Sequence, residues 1–265
     1  MIGIFDSGFG GLTVMKEYLK KYPQYDYMYL GDQANMPYGG HSPEHINNLV
    51  EKNVKFLVDK GCELIIIACN TASADALRHV QGIYKGKPAI LGVLVPAVEE
   101  ALRVTSSGNI GVIGTRGTIS SNSYIRETDK YKGDLTIRVH QQPCPLLVPL
   151  IEEGMISAPP TRMILRNYLR PLKHADIDTL VLGCTHYPLL HNEIQRMMGK
   201  KCKVLSSSKA AADAIESYFK KHSDTENKLS KNGKRTYYTT DCHERFSDLG
   251  SQFLGEKITG EKILI

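Results

Sequence analysis

Apolar positions along the chain fall into two alternating patterns. Short runs rich in β-branched residues read as strands: IGIF at 2–5, YDYMYLGD at 25–32, ELIIIAC at 63–69, AILGV at 89–93, NIGVIGT at 109–115, LTIRVHQ at 135–141, TLVLGC at 179–184, KVLSS at 203–207 and TYYTT at 236–240. Several are apolar at successive positions rather than alternate ones, which means burial on both faces. Between them the apolar spacing changes to three and four, predicting helices over 12–22, 72–80, 97–103, 145–154, 161–175, 188–194, 210–221 and 244–255. The clearest helix is SPEHINNLVEKNVKFLVDKG, with Ser42 as N-cap, Pro43 at the first position, Ile46, Leu49, Val50, Val54 and Leu57 on one face, and Gly61 as the stop. Strands alternating with helices are the mark of parallel sheets joined by helical crossovers.

The pattern occurs twice. IGIFDSG, with Gly3, corresponds to IGVIGTR, with Gly111; LIIIACNT, with Cys69, corresponds to LVLGCTH, with Cys184, in the same order and at similar offsets. Two α/β lobes of common design would explain this. If the lobes face each other, the carboxyl ends of their strands line one crevice, where open α/β sheets bind ligands. Asp6 and Ser7, Cys69 to Thr71, Thr115, and Cys184 to His186 all fall at such ends.

Composition narrows the classes of function. Of the 265 residues, 42% are hydrophobic and 23% charged, ordinary for a soluble protein, and no apolar run approaches the roughly 20 residues that span a bilayer. The start MIGIFDSG has no basic n-region, so no signal peptide is expected and the expected compartment is the cytoplasm. There the six cysteines would stay reduced, and without a CxxC pair or regular Cys/His spacing they give no reason to expect structural zinc. A net charge of +5 is mild, and the basic stretch NKLSKNGKR at 227–235 reads as a solvated loop rather than a nucleic-acid surface. GFGG at 8–11 is a weak phosphate-loop signal: Thr13 stands where a dinucleotide fingerprint has its third glycine, although Asp32, after the second strand, is where a ribose would lie.

The chemistry therefore rests on the two cysteines. A thiol between a strand and a helix meets free backbone N–H groups, which favour thiolate. Bringing its pKa from about 8.5 to about 7 takes only about 2 kcal/mol. Two such groups across a cleft suit racemisation at a carbon acid, with one thiolate removing a proton and the other thiol returning one to the opposite face. Asn70, Thr71 and Thr185 are candidates to hold a carboxylate, Asp6 and Ser7 an ammonium group, and His186 to exchange protons with Cys184. Asp6 could alternatively be a turn former. Cys62, Cys144, Cys202 and Cys242 read as buried packing.

DSGFGGLTV at 6–14, GDQANMPYG at 31–39, ACNTASA at 68–74, GVIGTRGTISSNSY at 111–124, CPLLVPLIEEG at 144–154 and GCTHYPLL at 183–190 together resemble the motifs of the glutamate racemases, in their order and at their approximate spacings. The resemblance implies two pseudo-symmetric lobes, each a mostly parallel sheet flanked by helices, with the active site between them. Residues 1–95 with 208–265 would form the first lobe and 96–207 the second. It implies cofactor-independent interconversion of L- and D-glutamate by Cys69 and Cys184, assisted by Asp6 and His186, with the product serving peptidoglycan synthesis. Ser7, Tyr38, Gly39, Asn70, Thr71, Thr115, Thr118, Glu152, Thr185 and His186 would contact or surround the substrate, together with Asp6. Cys69 would act on D-glutamate. No cofactor or metal is implied; the partner is glutamate, with neither nucleic acid nor membrane, and a homodimer is the assembly considered. Gln33, Asn35 and Met36 depart from the family pattern at the cleft entrance, and Asp241 and Cys242 depart from it in a late turn. Aspartate racemases, a non-catalytic acidic amino-acid binding protein and a cysteine hydrolase are the competing readings.

Overall fold

The computed structural model describes residues 1–265. Its strands are β1 (Ile2–Asp6), β2 (Tyr27–Gly31), β3 (Leu64–Ile67), β4 (Ala89–Gly92), β5 (Asn109–Gly114), β6 (Arg138–Pro143), β7 (Thr179–Gly183), β8 (Lys203–Ser206), β9 (Arg235–Thr239) and β10 (Glu261–Lys262). They form two sheets, in the orders β10-β9-β2-β1-β3-β4 and β6-β5-β7-β8. All pairs are parallel.

Within the larger sheet the order β2-β1-β3-β4 repeats the order β6-β5-β7-β8 of the smaller one, strand for strand. Gly3 and Gly111 occupy corresponding central strands, and Cys69 and Cys184 follow corresponding neighbours. β1, β2, β3 and β7 are buried throughout, as continuous apolar runs require. The edge strand β6 has no buried residue.

The largest core cluster draws residues from both sheets, from Ile2 and Ile66 to Ile113 and Leu182, so the lobes share one buried interior. The helix Ser207–Lys221 leaves β8 and packs against the helix Leu12–Lys21, carrying the chain back to the larger sheet. β9 and β10 then extend that sheet beyond β2. The basic loop is largely exposed, as expected, yet tied down: buried Asp26 accepts N–H bonds from Asn232 and Lys234, and Arg235 donates to the carbonyls of Pro23 and Tyr25.

The Ser42-capped helix runs over Pro43–Asp59 with the predicted face buried, and Ser42 Oγ accepts the N–H of His45. Other predictions need correction. The segment read as one helix over 72–80 is two, Asn70–Asp75 and Leu77–Tyr84, meeting at Ala76; the first starts immediately after Cys69 because the chain must turn out of β3 there. The helix expected over 97–103 begins at Leu94, with Pro96 tolerated in its first turn. Helices Arg116–Ser120 and Ser123–Tyr131 have no predicted counterpart; they are short and carry few apolar residues to mark a buried face. Cys242 is exposed rather than packed, since it caps the last helix at the surface. No helix is long and apolar enough to cross a membrane.

Candidate active site

Each half of the site follows from the way a strand ends. β1 stops at Asp6, and the SGFGG loop then turns into the helix Leu12–Lys21. This loop is built for close packing. A Cβ on Gly10 would lie 2.4 Å from Thr185 Oγ1 and 2.5 Å from the His186 ring, and one on Gly11 would lie 2.5 Å from Asp6 Cβ. Gly10 admits residues of the other lobe and Gly11 the Asp6 side chain, not a phosphate. Asp32 likewise offers nothing to a ribose: it is buried and engaged by Tyr38 Oη at 2.6 Å, Asn53 Nδ2 at 3.1 Å, Asn35 Nδ2 at 3.0 Å and Thr240 Oγ1 at 2.8 Å.

Ser7, Tyr38, Gly39, Cys69, Asn70, Thr71, Thr115, Cys184, Thr185 and His186 line a single small cavity between the lobes, of about 40 Å³. Gly8, Met36, Pro37, Val148 and Gly183 complete its wall. Of the predicted residues, Asp6, Thr118 and Glu152 stand behind this wall. No Lys or Arg lines it, so a bound anion must rely on hydroxyls, the Asn70 amide and backbone N–H groups. A much larger groove of about 800 Å³ lies elsewhere between the lobes and contains none of the predicted site residues.

Several predicted substrate contacts are already engaged in joining the lobes. Asn70 Oδ1 accepts from Tyr124 Oη at 2.8 Å and its Nδ2 donates to Ser207 Oγ at 3.3 Å, leaving one amide hydrogen. The Thr71 hydroxyl meets those of Thr115 at 2.9 Å and Thr118 at 3.0 Å. Thr13 Oγ1 donates to the Thr185 carbonyl at 2.8 Å, which pins the turn after Cys184 to the first helix. The Tyr38 hydroxyl points to Asp32, so its ring and backbone, not its oxygen, face the cleft.

The two thiols have different company. Cys69 caps the helix Asn70–Asp75, where Ala72 N–H, the Ser7 hydroxyl and Thr71 N–H favour its charged form. Burial and the neighbouring Asp6 charge outweigh them and push the thiol up to about 11. Cys184 precedes only the 3-10 turn Tyr187–Leu190, and burial raises it further. The thiolate-favouring setting expected from the sequence is thus reversed: full burial costs each anion more than a short helix start returns. His186 stands beside Cys184, with Nδ1 4.0 Å from Sγ and Nε2 3.0 Å from Glu152 Oε1. Asp6, fully buried, accepts Gly8 N–H on Oδ2 while Oδ1 has no partner; burial, opposed mainly by His186, raises its carboxyl.

A raised thiol is also a statement about stability. The folded chain keeps a proton on Cys69 that the unfolded chain releases near pH 9, so this contribution is complete below that pH and is lost as pH rises towards 11. It amounts to about 3 kcal/mol, taking about 1.4 kcal/mol per pH unit. Urea midpoints measured at pH 8 and pH 10.5 should fall less in Cys69→Ala than in the parent; equal falls would refute the assignment.

The sequence signature of the Asp/Glu/hydantoin racemase family matches residues 11–215. The chain belongs to this family. A glutamate racemase of Geobacter metallireducens is 40% identical over 257 residues, 97% of this chain and 93% of that protein. The solved glutamate racemase of Bacillus anthracis superposes with a TM-score of 0.92 at 33% identity, over 99% of this chain and 97% of that one. The Francisella tularensis glutamate racemase, solved in complex with D-glutamate, gives 0.88 at 35% identity, over 99% and 96%. An aspartate racemase of Picrophilus torridus reaches only 0.53 at 20% identity and 82% of this chain, a likeness of fold alone. The chain is therefore an isomerase of the glutamate racemase group.

Sequence reasoning did not single out Val148, Gly183, Tyr124 or Ser207 as residues of this site. Tyr124 and Ser207 act through Asn70 from other elements, and no local pattern marks such contacts.

Proposed function

We propose that this protein interconverts L- and D-glutamate by passing protons at Cα between Cys69 and Cys184, with no cofactor. The observation that carries the reading is that two thiols from corresponding strand ends of two like-ordered sheets line one small cavity. One thiolate removes the Cα proton; the other thiol donates its own proton to the opposite face, and the configuration inverts. The cysteines end the turnover with their protonation states exchanged, ready for the reverse reaction.

Because burial keeps both thiols protonated at rest, each needs a proton acceptor. On one side, a His186 whose Nε2–H is donated to Glu152 presents a lone pair on Nδ1 towards Cys184. On the other, the unpartnered Oδ1 of Asp6 lies in the surroundings of Cys69. Substrate carboxylates would be held by Ser7, Asn70, Thr71, Thr115 and Thr185, and a cavity of about 40 Å³ requires the lobes to part to admit them. On family grounds Cys69 acts on D-glutamate and the D-glutamate formed supplies peptidoglycan synthesis in the cytoplasm.

Incubated in D2O with no added cofactor, L-glutamate should lose its optical rotation while gaining deuterium at Cα. L-Aspartate under the same conditions should react far more slowly. Binding of glutamate without exchange would leave a carrier as the better reading, and faster turnover of aspartate would move the substrate to the shorter acid.

A further inference from the structure

The His186 ring is held largely by the lobe that does not supply it. Its Nε2 meets Glu152 within the second lobe, but its faces and edges pack on Phe253 at 5.3 Å and Phe9 at 6.1 Å between ring centroids, and those two rings meet each other at 5.6 Å. Phe9 belongs to the loop after β1, and Phe253 to the last helix, His243–Leu254. The same helix sends Arg245 to the other side of the carboxylate, with Nη2 3.8 Å from Glu152 Oε2. Glu152 is nearly buried, with a side chain 10% exposed, whereas that of Arg245 is 55% exposed. Glu152 thus bridges the imidazole on one oxygen and a guanidinium from the C-terminal helix on the other.

We propose that Arg245 is a positioning residue for proton transfer at Cys184, acting through Glu152 and His186 from the C-terminal helix. A guanidinium beside Oε2 fixes the rotation of the carboxyl group, so that Oε1 faces Nε2 and Nδ1 stays aimed at the thiol. Phe253, eight positions further along the helix, holds the ring against the Phe9 loop. The contacts from Arg245 through Glu152 and His186 end at Cys184, whereas Cys69 has Asp6 and Ser7 for neighbours, so the larger effect falls on the Cys184 side. This inference rests on the two-thiol reading of the site.

One-sidedness gives a test that a merely structural role would not pass. Enantiomers in water have an equilibrium constant of one, so kcat/KM is equal in both directions for any variant and cannot report which thiol is slowed. The primary isotope effects with 2-deuterated L- and D-glutamate can, because each is sensitive to the thiol that removes the deuteron. Arg245→Met keeps the apolar stem and removes the charge at an exposed position. It is expected to lower kcat/KM about threefold, the scale of a partly exposed ion pair, and to change the ratio of the two isotope effects, with Arg245→Lys restoring part of that ratio. The sense of the change identifies the enantiomer that Cys184 deprotonates. An unchanged ratio in Arg245→Met, whatever the rate, overturns the proposal. A parent enzyme that does not exchange the Cα hydrogen of glutamate would instead refute the two-thiol reading itself.

Discussion

Cys69→Ala and Cys184→Ala are each expected to lower glutamate racemisation by at least about a thousandfold, within the range that one positioned acid or base contributes. Each substitution removes the sole thiol on its side of the cavity. On the Cys69 side the neighbouring carboxyl group, Asp6, stands behind the wall rather than on it. On the Cys184 side His186 does line the cavity, but its position is set by Glu152, Phe9 and Phe253, and the Gly10 loop packs against it. A ring held on so many sides cannot advance to replace a sulfur atom. Since the equilibrium constant is one, the loss must be equal in both directions. Polarimetry from each enantiomer, with circular dichroism to verify folding, checks this; full activity in either variant would eliminate the two-thiol mechanism.

Gly10→Ala should be nearly as damaging while leaving most of the fold in place, with kcat/KM falling about a hundredfold, the cost of a displacement of about 1 Å among reacting groups. The new methyl would stand 2.4 Å from Thr185 Oγ1 and 2.5 Å from His186 Nδ1 and Cε1, distances at which something must move. The His186 ring is wedged between aromatic rings, and the Thr185 carbonyl is pinned by Thr13, so the shift passes to the turn carrying Cys184. Gly40→Ala, where an added Cβ meets nothing within 4 Å, is the control. If Gly10→Ala kept parental kcat/KM, the close approach of the first loop to the second thiol's turn would have no catalytic meaning.

These two predictions differ in where they could be found. The cysteines stand out in the sequence because each follows an apolar run, and small polar residues beside a buried strand end are a local anomaly. The need for glycine at position 10 is invisible there. GFGG read as a weak phosphate loop until the structure brought Thr185 and His186 against it from a part of the chain some 175 residues away. Asn70 presents the same contrast: the sequence marked it as a substrate contact, whereas its partners Tyr124 and Ser207 come from separate helices. Arg245 is one more charged residue on a surface helix until Glu152 is seen beside it.

The sequence by itself determined the order of the first nine strands and of most helices, the doubled α/β plan, the candidate thiol pair and the family, because periodicity, small-residue loops and motif order are written in neighbouring positions. Tertiary structure alone decided the protonation of the thiols and the company each keeps. Those depend on how much water the closed lobes exclude and on charges brought near from distant segments. Both are properties of packing in space, which is why Cys69, expected to favour thiolate at a helix start, is a thiol held up to about 11 by its burial and by Asp6.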